Sequence, residues 1–120
     1  MKTIRILLAT IFAVSIVAGL NACTTEQAAK VAAGTIIDVR TAEEFAEGHL
    51  EGAINIDVES GDFEQLVGDL DLEGEYQLYC RSGRRSAIAK QKMLDAGFAN
   101  VTDLGSLEEA AEATGIAITP

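Results

Sequence analysis

Cys80-Arg81-Ser82-Gly83-Arg84-Arg85-Ser86 sets one thiol, two hydroxyls and three guanidinium groups within seven positions. A cysteine reacts as its thiolate, and nearby positive charge is one of the few things that make that anion available near neutral pH. Ser82 and Gly83 are small enough for successive backbone N–H groups to turn inward, and a helix following them would aim its positive N-terminus at the same point. Such a cradle would stabilise both a charged sulfur and an anionic ligand. The expectation is a nucleophilic Cys80 that ionises more readily than an ordinary thiol and needs no general base. The plainer alternative, an inert strand-end cysteine, does not explain the arginines that follow it. One histidine, His49, and no second thiol near Cys80 leave no ligand set for zinc or iron, so a metal site is not expected.

The charge of the whole chain sharpens the contrast. Nine Lys+Arg stand against 19 Asp+Glu, a net charge of −10. An acidic surface of this kind repels nucleic acid and anionic headgroups. The first 22 residues read as an export signal: Lys2 and Arg5 form a positive start, and Ile6 to Leu20 is an uncharged apolar run, short for a bilayer span. Leu20-Asn21-Ala22-Cys23 then resembles the lipobox of bacterial lipoproteins, which would make Cys23 an acylated first residue. Ordinary cleavage, or retention of the apolar run to Thr25 as an anchor, are the other readings, and all three export the domain. Without residues 1–22 the balance becomes 7 Lys+Arg against 19 Asp+Glu, or −12, and three of those seven cations sit in the cysteine loop. If Cys23 is acylated, Cys80 has no partner for a disulfide.

Around the loop, β and α signals alternate. Residues 23–34 read as a tether and the domain as 35–120. Strands are expected at Thr35–Val39, Ala53–Ile56, Tyr76–Cys80 and around Val101 within Phe98–Leu104, with a last extended segment over Gly115–Thr119. Helices are expected from Thr41 to Gly48, opened by a Thr41/Glu44 capping box, and over Asp62–Leu70 with Phe63, Leu66, Val67 and Leu70 as the core face. Two more run over Gly83–Ala96, stopped by Gly97, and Ser106–Thr114, opened by Ser106 with Glu109 three residues on. This alternation implies an α/β fold: a small open parallel sheet of four to five strands with helices on both faces. Cys80 then falls at a strand's carboxyl end, where such sheets bind ligands.

Two stretches resemble the rhodanese sulfurtransferases. Cys80 to Arg85 is similar to their six-residue active-site loop. Asp38-Val39-Arg40, then Glu44-Phe45, then Gly48-His49-Leu50-Glu51-Gly52-Ala53-Ile54-Asn55-Ile56, resembles their N-terminal signature. The short single-domain form is most similar to the phage-shock periplasmic rhodaneses. The resemblance implies that Cys80 accepts a sulfane sulfur from a donor such as thiosulfate and holds it as a persulfide. It then passes the sulfur to cyanide or a thiol, a thioredoxin-like protein included. The loop from Arg81, Ser82, Gly83, Arg84 and Arg85 to Ser86 would bind donor and persulfide, with one arginine turned into the fold instead. No cofactor is implied. Asp38 and Arg40 would form a structural ion pair, and His49 a structural rather than a catalytic group. The implied protein is a periplasmic monomer, touching the membrane only through a lipid on Cys23 and binding no nucleic acid. Gly105-Ser106 and Ala110-Ala111 stand where relatives often carry Gly-Gly and a tryptophan.

Two other functions fit parts of the pattern. Cysteine phosphatases and arsenate reductases place five residues between Cys and Arg; here Ser86 holds that arginine's place and Arg85 comes one residue early, leaving a smaller loop. A module that senses or carries sulfane sulfur would show the same loop and cysteine.

Overall fold

The computed structural model describes residues 34–120. The leader expected over 1–22, Cys23 and the tether up to residue 33 lie outside the described residues. Six strands follow in chain order: β1 (Thr35–Asp38), β2 (His49–Leu50), β3 (Ile54–Asn55), β4 (Glu75–Cys80), β5 (Asn100–Ser106) and β6 (Ile118–Thr119). Four helices alternate with them: α1 (Ala42–Glu47), α2 (Phe63–Val67), α3 (Arg84–Asp95) and α4 (Leu107–Thr114).

The main sheet has the order β3-β1-β4-β5 and is parallel throughout. β4 therefore runs between two neighbours, and Tyr76 to Cys80 are all buried. A strand covered on both faces reads as a mostly apolar run, and Tyr76–Cys80 is apolar apart from the buried Gln77. On one face Ile37, Val39, Leu78 and Cys80 pack against Phe63 and Val67 of α2 and Ala89 and Met93 of α3. On the other, Ile36, Tyr79 and Leu104 pack with Leu50 and with Ala110 of α4. Successive residues of β1 and β4 thus feed opposite cores, as a two-residue period requires.

Both capping expectations hold. The Thr41 side chain accepts the Glu44 N–H at 3.2 Å and Glu44 Oε1 accepts the Thr41 N–H at 3.4 Å, closing the box on α1. Ser106 accepts the Glu109 N–H at 3.1 Å on α4.

The differences are local. α2 ends at Val67 instead of Leu70, and Leu66 is 47% exposed: in so short a helix Phe63 and Val67, four apart, take the inward line and Leu66 falls off it. α3 is capped by Ala96, with Gly97 one residue beyond at φ 104°, and the Phe98 N–H returns to the Met93 carbonyl at 3.1 Å. Phe98 is accordingly part of that turn, its ring edge-on to Tyr76 at 5.3 Å, and β5 starts only at Asn100. β2, which begins just past the helix expected up to Gly48, pairs antiparallel with β6 through His49↔Thr119 and Leu50↔Ile118. Two-residue strands carry no periodicity, so only the tertiary pairing defines them.

Candidate active site

The site is built at the carboxyl end of β4. β4 and β5 keep register up to Leu78↔Asp103, but Cys80 lies opposite Ser106, so β5 bulges beside the sulfur. A bulge at a sheet end re-aims the chain and frees backbone groups from the ladder. There β4 leaves the sheet, and residues 81–83 turn directly into α3. Gly83 makes the turn possible: its φ of 92° is left-handed, and glycine alone adopts it without strain. In that conformation the Gly83 N–H points back at the Cys80 sulfur, 2.9 Å away.

Ser86, in the first turn of α3, completes the contact. Its Oγ lies 3.5 Å from Cys80 Sγ and 3.1 Å from the Gly83 carbonyl. The neutral thiol donates to this oxygen; once the sulfur is ionised, the hydroxyl proton turns to it. Cys80 and Ser86 are both fully buried. Burial by itself pushes the Cys80 thiol up. Hydrogen bonds from the Ser86 hydroxyl and the backbone N–H groups of Ser86, Gly83 and Ser82 outweigh it, and the thiol titrates below its ordinary value. The largest anion-stabilising groups are thus amides and a hydroxyl, where the sequence drew the eye to arginines.

The three arginines divide. Arg81 and Arg84 are exposed and take part in no ion pair among the described residues. Arg85 is the one turned into the fold: its Nη1 and Nη2 donate to Glu44 Oε1 and Oε2 at 2.7 and 2.9 Å. That pair holds the Arg85 guanidinium above its usual range and the Glu44 carboxyl down at about 2. Glu44 is the site residue that sequence reasoning missed. In the sequence it stood only as half of a capping box and as part of the N-terminal signature, with no site role, and its partner is 41 residues away.

The expected supports are in place around the strand ends. Asp38, fully buried, accepts from Arg40 Nε at 3.0 Å, Nη2 at 2.7 Å and the Arg40 N–H at 2.9 Å. Arg40 also donates to the Gly48 carbonyl and lies 5.7 Å over the Tyr79 ring. Asn55, which sequence reasoning passed over, donates to the carbonyls of Asp38 and Arg40 at 3.0 and 2.8 Å. His49 donates through Nδ1 to the Phe45 carbonyl at 2.8 Å, and its ring stacks on Phe45 at 3.7 Å. Both tyrosines serve the sheet: Tyr76 donates to the Asp71 carbonyl and Tyr79 accepts the Leu50 N–H at 3.0 Å.

Beside Arg81 a cleft of about 300 Å³ opens between α1, the start of α4 and β6, with Glu47, Glu108, Leu107 and Ile118 along it. The turn above the loop depends on Gly105, at φ 84°; a Cβ there would meet Glu109 Oε2 at 2.3 Å. This is where the sequence has Gly105-Ser106, and the left-handed φ, rather than the close approach, is why the first of the two positions favours glycine, since the Glu109 carboxylate could swing aside.

Residues 24–113 match the family described as rhodanese-like domain. The chain belongs to the rhodanese-like sulfurtransferase family. It is 32% identical over 75 residues to the thiosulfate sulfurtransferase PspE of Escherichia coli, covering 62% of this chain and 72% of that protein. It is 35% identical over 69 residues to YrkF, a candidate sulfur carrier of Bacillus subtilis, but spans only 36% of that relative's length. A solved rhodanese with anions from E. coli superposes with a TM-score of 0.62 at 29% identity, over 72% of this chain and 98% of that one. The rhodanese fold thus accounts for the parallel sheet and for the loop that leaves β4 at Cys80.

Proposed function

We propose that this rhodanese moves a sulfane sulfur from a small anionic donor such as thiosulfate, through a persulfide on Cys80, to a nucleophilic acceptor. The observation that carries the reading is the buried Cys80 sulfur with the Gly83 N–H at 2.9 Å and the Ser86 hydroxyl at 3.5 Å, an arrangement that favours the thiolate. In the first half-reaction the thiolate attacks the outer sulfur of thiosulfate. A bond forms between Cys80 Sγ and that sulfur, the donor's S–S bond breaks, and sulfite leaves with its electron pair. In the second half-reaction cyanide or a thiolate attacks the outer sulfur and Cys80 leaves as the thiolate. The amides that stabilise the first anion serve the persulfide and the leaving thiolate equally. Two separated half-reactions give ping-pong kinetics, and the chemistry requires no cofactor.

Arg81 and Arg84, exposed at the loop, draw the donor in. Arg81→Ala is expected to raise the KM for thiosulfate by about threefold to tenfold, the range for one partly solvated charge contact; an unchanged KM would remove Arg81 from this role. The decisive test of the whole reading is mass. Protein incubated with thiosulfate should gain one sulfur atom, and Cys80→Ser should gain none; a gain that survives the substitution refutes it.

The likeness to a candidate sulfur carrier supports a second reading, transfer to a protein partner of thioredoxin type. Labelled persulfide that passes to such a protein but not to cyanide or small thiols would select it. We further propose that the protein acts as an exported, periplasmic monomer anchored through acylated Cys23. A membrane-fraction N-terminus at Met1, or at an unmodified Cys23, would exclude that anchor.

A further inference from the structure

We propose that Glu44 is a specificity-determining positioning residue of the sulfur-transfer site: by holding Arg85 in a two-bonded ion pair, it withdraws one of the loop's three positive charges and so sets how strongly the pocket grips a dianion. The inference rests on the sulfurtransferase reading of Cys80. Both Glu44 oxygens are taken by Arg85, at 2.7 and 2.9 Å. Oε1 is also held by the Thr41 N–H and hydroxyl, at 3.4 and 3.2 Å, so Glu44 cannot swing away from Arg85 without uncapping α1. The two side chains are 18% and 19% exposed, shielded enough for the cancellation of charge to act at short range with little screening.

Arg85 is the neighbour of Ser86, whose hydroxyl touches the sulfur, and the Cys80 charge bears on its guanidinium. A free Arg85 would therefore add to the field over the thiolate. With Glu44 in place, Arg81 and Arg84 remain for the ligand. The donor thiosulfate and the product sulfite are both dianions, so a third free guanidinium would tighten both alike. Binding both equally lowers KM without speeding the chemical step, and it slows product loss. Glu44 moderates this uniform grip. Glu59 also bears on Arg85, and it stays unchanged in every comparison below.

The test uses the full chain and its Glu44→Gln variant, which keeps the side-chain shape and removes the charge. Sulfite affinity is read by protection of Cys80 from alkylation, and thiosulfate KM and kcat by turnover. Glu44→Gln is expected to bind sulfite about tenfold more tightly and to lower the thiosulfate KM similarly. The monoanion thiocyanate should gain about threefold, since the Coulomb energy scales with ligand charge. kcat should stay level or fall. In an Arg85→Gln background, where no guanidinium is released, the same substitution should give a clearly smaller gain. Where Glu44→Gln does not fold, Glu44→Ala removes the same charge at a helical position that favours alanine, and the same shift is expected. A merely structural Glu44 would give unchanged or weaker sulfite binding in either variant, or an equal gain for both anions, and each result overturns the proposal. Tighter sulfite binding without sulfur transfer in the wild-type protein would instead remove the sulfurtransferase reading and leave the charge assignment standing.

Discussion

Replacing Ser86 by alanine isolates the group that does most to ionise the sulfur. The hydroxyl is fully buried, 3.5 Å from Cys80 Sγ and 3.1 Å from the Gly83 carbonyl. The substitution keeps the Ser86 N–H, the Gly83 N–H at 2.9 Å and the cysteine itself, so it removes one stabilising contact and leaves the amides. A hydrogen bond to a charged group contributes about 1.5–3 kcal/mol, and this longer oxygen-to-sulfur contact belongs at the lower end. About 1.4 kcal/mol is tenfold, so Ser86→Ala should hold about tenfold less thiolate at any pH below its titration midpoint. The sign follows from the charge: losing a donor disfavours the anion, and the midpoint moves up. The assay is the ultraviolet absorbance of the thiolate against pH, with Cys80→Ser subtracted so that Cys23 cancels, alongside the rate of persulfide formation. At neutral pH the rate should fall about tenfold, and at alkaline pH it should approach the wild-type value. A rate lowered equally at all pH values, or a midpoint that does not move, would refute the reasoning and return the stabilisation to the backbone amides alone.

Three further outcomes test the supports. Asp38→Ala leaves the buried Arg40 guanidinium without its counter-ion and should cost about 3–5 kcal/mol in denaturant unfolding; a loss under about 1 kcal/mol would mean that water reaches Arg40. Tyr79→Phe deprives the buried Leu50 N–H of its acceptor and should cost about 1–3 kcal/mol, with Cys80 titration unchanged. The Glu44 carboxyl, held down to about 2 by its bonds to Arg85, contributes stability that is fully present above its unfolded value near 4.5 and is lost as pH falls through 2. Because the pair is partly solvated, about 1–2 kcal/mol is expected in that window. A Glu44→Gln protein that loses as much stability as the wild type across the same acid range would contradict it.

The elements that the sequence made legible are those with long-range pattern or short-range chemistry. Thr41 with Glu44, and Ser106 with Glu109, announced helix starts because capping is a contact between residues three apart. The largely apolar run before Cys80 announced a strand, and the small residues after it announced the turn into α3. By contrast, Leu66 was misread as core because in a five-residue helix spacing alone does not choose which line faces inward. Of the short antiparallel pair, β6 falls within the extended segment expected over Gly115–Thr119, whereas β2 gave no signal.

The sequence by itself therefore determined the chemistry on offer: one thiol at a strand's carboxyl end, a loop of fixed length behind it, and an acidic chain around a basic point. Loop length and residue type are local, and a local signal survives without the fold. What only the tertiary structure decided is which charges reach the site. Which arginine turns into the fold was open until α1 brought Glu44 to Arg85 across 41 residues, and Ser86 was one residue of the expected binding loop until the turn of α3 set its hydroxyl against the sulfur. Electrostatic energy depends on separation in space, and separation along the chain carries almost none of that information.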